Sequence, residues 1–231
     1  PTLLFEKNRV DQRRNQFEAI LFDFDYTLAD SSKGIVECMN YAFERMGLPS
    51  VPSAEICRTI GLSLPDTLAV LQGEKYRTRG EEFTRLFVSR ADQIMADMSV
   101  IYEDVPETLR ALRSQNYRLG IVSTKYRYRI ERILGRENLL HYFDVIVGGE
   151  DVPNHKPDPH GLLEAVEKLK SEKHRILYVG DSVTDAETAA RAGIAFAAVL
   201  SGKTPIEAFE GHETVAVFQY LHELPEFLAA P

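Results

Sequence analysis

The chain is poor in cysteine: Cys38 and Cys57 are the two it has among 231 residues, and they form no Cys-x-x-Cys pair. Both lie in segments of helical pattern, so buried neutral thiols are expected and a disulfide or zinc site is not. Basic charge is also scarce. Lys and Arg number 27 against 35 Asp and Glu, a net charge of −8, and no run of Lys or Arg occurs. The electrostatic footprint of a nucleic-acid binder is therefore missing, and a small anionic ligand would need a local positive site. No apolar stretch reaches the roughly 18 to 20 residues that cross a bilayer, and no basic-then-apolar secretory start is present. A cytoplasmic protein without a membrane partner is expected. There is no internal repeat and no low-complexity segment.

What is present begins with Ala19-Ile20-Leu21-Phe22, an apolar run that ends in Asp23-Phe24-Asp25-Tyr26-Thr27-Leu28. A continuous apolar run fits a strand covered on both faces. Carboxylates stay out of such interiors unless paired or metal-bound, so Asp23 and Asp25 belong at the strand's carboxyl edge, where open α/β sheets bind ligands. Two later runs end in the same way. Leu119 to Val122 leads into Ser123-Thr124-Lys125, and Ile176 to Gly180 leads into Asp181-Ser182-Val183-Thr184-Asp185. Between them, His155-Lys156-Pro157-Asp158-Pro159 opens a helical pattern.

The intervals between these segments divide the chain. From about Ser31 to Asp104 the pattern is helical, with Ile35, Met39, Ala42, Phe43 and Met46 at helical spacing and Gly47 and Pro49 ending the run. Further helices are expected near Leu64 to Leu68 and from Glu81 to Met98. From Val105 onward helices and strands alternate: helices over 106–115, 126–134, 158–169 and 184–192, strands over 118–123, 144–147, 175–180 and 195–200. That alternation implies right-handed crossovers and a doubly wound parallel sheet. Thr214 to Val217 is a candidate edge strand. The expected organisation is an α/β core of residues 17–30 and 105–231, an inserted all-helical unit of residues 31–104, and an N-terminal arm, residues 1–16, without an assigned role.

In order and spacing the four polar segments resemble the signature of the haloacid dehalogenase superfamily, and most closely its phosphoglycolate phosphatase-like branch, over roughly Phe17 to Gly202. One Asp-x-Asp alone would be weak evidence; four elements in the expected order are specific. The resemblance implies a helical cap closing over the site. It also implies a magnesium ion held by the Asp23 carboxylate, the Asp25 main-chain carbonyl and Asp181, with Asp185 assisting.

The residue types fit that chemistry. Asp23 is the candidate nucleophile, able to form an aspartyl-phosphate that splits a hard hydrolysis into two easier steps. Asp25 is the candidate acid and base, protonating the leaving oxygen and later deprotonating water. Ser123 and Thr124 would hold phosphate oxygens, and Lys156 would stabilise charge on the transferring group. Asp181 and Asp185 add carboxylates that repel one another without a cation, and oxygen donors without clustered His or Cys suit Mg²⁺. Plainer accounts exist for single residues: Asp23 and Asp25 as helix caps, Asp185 as a first-turn acid, Lys156 as a solvated charge. Lys125 and Arg127 read as solvated helix-start residues. His155 and His160 lack a third ligand type for a metal site. Gly202-Lys203-Thr204 fails as a nucleotide-binding loop because residue 197 is Ala.

The expected function is hydrolysis of a small phosphorylated metabolite, phosphoglycolate-like, by a monomer or homodimer. A pyrophosphatase and a sugar-phosphate mutase are the enzyme alternatives. Against the mutase, Ile35, Ile60 and Leu64 stand where mutases of the branch carry a His and cationic residues. Tyr26 departs from the family's commoner Gly and leaves specificity open. Two non-enzyme readings remain. A receiver domain would be about half this length and without the helical insertion; a catalytically dead binding module would have lost one of Asp23, Asp25, Lys156 or Asp181.

Overall fold

The computed structural model describes residues 17–229; the arm expected at 1–16 lies outside the described residues. These contain eight strands: β1 (Ala19–Phe22), β2 (Ala29–Asp30), β3 (Val100–Ile101), β4 (Arg118–Val122), β5 (Val145–Val147), β6 (Ile176–Gly180), β7 (Ala195–Val199) and β8 (Ala216–Phe218). The helices are α1 (Ser32–Arg45), α2 (Ser53–Cys57), α3 (Leu64–Gln72), α4 (Gly80–Met98), α5 (Val105–Ser114), α6 (Arg127–Arg136), α7 (His160–Leu169), α8 (Val183–Ala192) and α9 (Leu224–Ala229), with short 3₁₀ turns between some of them.

Six strands form one parallel sheet in the order β5-β4-β1-β6-β7-β8. Every residue of β1 and of β6 is buried, as near-continuous apolar runs require when both faces are covered. Along β1 the side chains alternate: Ile20 and Phe22 join Leu109, Ile130 and Leu224 on one face, while Ala19 and Leu21 join Leu162, Ala165 and Ala189 on the other. Helices α5, α6 and α9 thus cover one face and α7 and α8 the other, which makes the sheet doubly wound. From β1 the chain steps outward to β4 and β5 and then returns to β6 on the opposite side. The order reverses at β1, and a crevice opens there at the carboxyl edge.

Helices α1 to α4 pack on one another around a separate core that includes Met39, Phe43, Leu68, Phe83, Phe87 and Met95. The rings of Phe43 and Phe83 stack with centroids 5.1 Å apart. All five positions picked out by helical spacing, four in α1 and Met46 just after it, are buried, and Ile35, Met39, Phe43 and Met46 each contribute about 1.5 to 3 kcal/mol. Between this cluster and the sheet runs a two-stranded antiparallel ribbon of β2 and β3, with Ala29 opposite Ile101 and Asp30 opposite Val100. Just beyond it the buried Ser31 and Ser99 hydroxyls are 2.8 Å apart. The sequence pattern does not reveal the ribbon, because two residues are too few to show period-2 alternation and their partners lie about seventy positions apart.

Other differences are small. The expected helix over 158–169 begins at His160, since prolines at 157 and 159 disfavour helical backbone in the residues before them. The edge strand lies at Ala216–Phe218 beside β7, displaced slightly from the expected 214–217. Cys38 is buried and Cys57 is half-buried; burial pushes the Cys38 thiol up to about 12, which keeps it neutral. No helix among the described residues is long and apolar enough to cross a membrane.

Candidate active site

Register carries the first carboxylate to its position. Phe22 pairs with Ile121 of β4 and Val179 of β6, so the next residue, Asp23, comes level with Val122 and Gly180, the last residues of those strands, one step before Ser123 and Asp181. Its N–H still donates to the Val179 carbonyl at 2.9 Å, and the Ser123 N–H donates to Val147 at 3.1 Å. Asp23 is 2% exposed. Its Oδ2 lies 2.9 Å from Lys156 Nζ, while Oδ1 is buried with no hydrogen-bond partner. Burial pushes this carboxyl up to about 6, against the pull of Lys156 and with Asp185 adding to the rise.

Lys156 is held on several sides. Its ammonium contacts Asp23, then Asp185 Oδ1 at 2.6 Å and the Tyr178 hydroxyl at 3.2 Å. Burial opposes that charge, but Asp185 and Asp23 outweigh it and hold the ammonium well above its usual value. Asp185 is fully buried, and its other oxygen accepts from the Ser182 N–H at 3.1 Å and the Ser182 hydroxyl at 2.6 Å. In return the Asp185 N–H donates to Ser182 Oγ at 3.2 Å, a reciprocal cap that starts α8. Both Asp185 oxygens are therefore occupied, and it serves here as the anchor of Lys156.

Asp23, Asp181 and Asp185 offer oxygens within 4.8 Å of one another. At that spacing each pair of charges repels by about 3 to 4 kcal/mol at an effective dielectric near 20. Burial, then Asp185 and Asp23, raise the Asp181 carboxyl well above its usual value. One ammonium cannot balance three carboxylates. The unpartnered Asp23 Oδ1 and an all-oxygen donor set fit a hard divalent cation, with Asp23 and Asp181 as the residues free to hold it.

The loop after β7 closes against this cluster. A Cβ on Gly202 would stand 1.9 Å from Asp181 Oδ2, so only glycine permits the approach; the Gly-Lys-Thr triplet thus has a packing reason unrelated to nucleotides. Tyr26 adopts a left-handed φ of 64°, the conformation that explains why glycine is commoner at this position. Its carbonyl accepts a 2.5 Å bond from Ser201, and its ring is buried.

The Asp25 side chain stands apart from the three clustered carboxylates. It pairs with Lys125 Nζ at 3.0 and 3.2 Å, and that ammonium also reaches Ser31 Oγ at 3.2 Å. Lys125 is 8% exposed, which overturns its reading as a solvated residue. The signal lay in its position, two residues past Ser123 on the edge that carries Asp23. Arg127 does begin α6 and is partly exposed, paired with Asp151 and Glu131. Tyr178 is a second residue that sequence reasoning missed. A tyrosine inside a fully buried run must find a partner for its hydroxyl, and this one lies 3.0 Å from both Asp185 Oδ1 and the Val122 carbonyl.

Beside Asp25 a cavity of about 280 Å³ separates the sheet edge from the helical cluster. Asp25, Thr124, Lys125 and His155 line one side; Ile35, Ile60 and Leu64 line the other. Ser123 and Lys156 lie next to Asp23, Thr124 turns toward the cavity, and exposed His160 stays outside it.

Residues 20–199 match the family model of haloacid dehalogenase-like hydrolases. A phosphoglycolate phosphatase of Aquifex aeolicus is 34% identical over 183 residues, covering 79% of this chain and 84% of its own length. Pyrophosphatase PpaX of Bacillus cereus is 31% identical over 198 residues, covering 84% of this chain and 90% of its own. A solved structure from Bacteroides fragilis, assigned to the haloacid dehalogenase-like hydrolases, superposes with a TM-score of 0.87 at 42% identity, covering 90% of this chain and 99% of that one. With the four polar segments gathered at the switch point of a doubly wound sheet, these likenesses establish that the chain belongs to the haloacid dehalogenase-like hydrolase family.

Proposed function

We propose that this protein is a Mg²⁺-dependent phosphatase that hydrolyses a small phosphate monoester through an aspartyl-phosphate on Asp23. The observation that carries the reading is the state of Asp23: buried, one oxygen on Lys156, the other unpartnered at the carboxyl edge. A carboxylate in that position is available to attack phosphorus as the P–O bond to the leaving group breaks. Asp25, oriented by Lys125, delivers its proton to the departing oxygen, then takes one from the water that attacks the phosphoenzyme and regenerates Asp23. Lys156, with the Ser123 hydroxyl and Thr124, supports the phosphoryl oxygens. Mg²⁺ held by Asp23 and Asp181 would offset their mutual repulsion and the phosphoryl charge.

Residues 31–104 serve as the cap in this reading, since helices α1, α3 and α4 and the loop that precedes α3 supply the far wall of the cavity. Ile35, Ile60 and Leu64 all lie in that wall and provide no cation for a second phosphate, which favours a hydrolase over a mutase. The relatives named for phosphoglycolate and for pyrophosphate are alike in identity and coverage, so pyrophosphate hydrolysis is the second reading. The test is phosphate release from a panel of small monoesters and pyrophosphate. Activity should vanish on chelation and return with Mg²⁺; full turnover after exhaustive chelation would overturn the proposal.

A further inference from the structure

From the cavity beside Asp25 we infer that the leaving group of the substrate is an uncharged alcohol with an apolar body at least the size of a benzyl group, carrying one hydrogen-bonding substituent. The inference rests on the phosphatase reading and names the substrate class for that same site. If Asp23 receives the phosphoryl group and Asp25 protonates the departing oxygen, the rest of the substrate extends to the Asp25 side. Asp25 lines the cavity, so that is the space the alcohol must fill.

Size and lining decide what kind of alcohol fits. An apolar cavity of about 150 Å³ takes up benzene, and this one is about 280 Å³. Ile35, Met39, Ile60, Leu62, Leu64 and Phe87 supply an apolar side to it, and hydroxyl and charged residues such as Thr59, Thr67 and Asp25 share the rest. Each cation that borders it is already engaged: Lys125 by Asp25 and Ser31, Arg129 by Asp92 at 2.7 and 3.0 Å. A carboxylate such as that of glycolate would be buried without a free partner, at a cost of several kcal/mol.

Two residues that line the cavity carry buried polar atoms without partners. Thr67 is 1% exposed and its hydroxyl has no hydrogen bond; His155 Nδ1 is likewise buried and unpaired. The neighbouring Thr59 and Ser63 hydroxyls are satisfied by Ile56 and Asp66. Burial lowers the His155 imidazole below its usual range despite the opposing pull of Asp66, so the ring that lines the cavity is held neutral. A neutral hydroxyl or carbonyl on the ligand would satisfy either atom, and leaving both unmet is costly.

The experiment compares kcat/KM, with Mg²⁺, for 2-phenylethyl phosphate, its ring-hydroxylated derivatives, phosphoglycolate and pyrophosphate. All three kinds of monoester release a primary alcohol, so intrinsic reactivity is similar. The expected order places a hydroxylated phenylethyl ester first and phosphoglycolate at least about tenfold below the plain phenylethyl ester. Thr67→Val should reduce the hydroxylated-to-plain ratio, through KM more than kcat, and Leu64→Lys should shift preference toward phosphoglycolate. If the wild type prefers phosphoglycolate or pyrophosphate, the inference is overturned while the phosphatase reading stands. If no ester is hydrolysed with Mg²⁺ by the folded protein, the phosphatase reading falls and this inference falls with it.

Discussion

Asp23 shows how burial tunes a single residue. Because its folded carboxyl titrates near 6 against an ordinary value of 3.8, the folded state binds the proton more tightly than the unfolded chain does. That contribution to stability is full below about pH 4 and is lost as pH rises through 6. In chelator, Asp23→Asn should therefore gain on the wild type by up to about 1.4 kcal/mol per pH unit across that window. Denaturant melts at pH 4, 5, 6 and 7 read this directly, and parallel profiles would show that Asp23 is not in such an environment. With Mg²⁺ present, the same variant should keep less than about a hundredth of wild-type kcat, a loss at least as large as that for a general acid or base. In the proposed mechanism Lys125 acts on Asp25, its ion-pair partner, and not on phosphorus. Lys125→Met should lower kcat by roughly 10 to 100-fold, less than the roughly 10²–10⁴-fold credited to the proton-transfer group itself, with little change in KM and partial rescue by Lys125→Arg. An unchanged kcat would remove Lys125 from the site.

At the scale of elements, the site depends on where strands stop and helices start. The apolar runs of β1, β4 and β6 end within one residue of a common level, and Asp23, Ser123 and Asp181 follow from that. Helix α8 starts on the Ser182–Asp185 reciprocal cap, so a single local motif both begins the helix and fixes the anchor of Lys156. Ser182→Ala should cost about 1 kcal/mol of stability, as loss of a cap does. It should also lower kcat, because Asp185 loses two of its hydrogen bonds. Urea melts and steady-state rates measure the two effects separately; a stability loss with unchanged kcat would confine Ser182 to the helix. The capping pattern Ser-x-x-Asp is visible in the sequence, whereas its link to Lys156, 29 positions away, is not.

On the scale of the whole molecule, the three gathered carboxylates oppose folding until a cation joins them. Mg²⁺ at about 100 times its Kd should stabilise the protein by about 2.7 kcal/mol, several degrees in Tm for a chain of this size. Asp181→Asn should raise the Tm in chelator, since one repelling charge is gone, and should abolish most of the Mg²⁺-induced rise. Calorimetry at pH 7.5 with and without the ion tests both. An equal Mg²⁺ shift in wild type and variant would place the ion elsewhere.

The sequence by itself determined the doubly wound sheet and marked Asp23, Asp25, Ser123, Asp181 and Asp185 as the polar residues that end apolar runs, because such runs are local patterns; it singled out Lys156 through the resemblance of the segment around it to a family motif. Tertiary structure alone decided which charge meets which. Lys125 reaches Asp25 across 100 positions, and both Asp185 oxygens are taken by Lys156, Tyr178 and Ser182. The β2–β3 ribbon and the apolar cavity likewise arise only where distant segments meet. The physical reason is that periodicity is encoded within a dozen residues. Desolvation, ion pairing and cavity shape depend instead on neighbours that only the folded chain supplies.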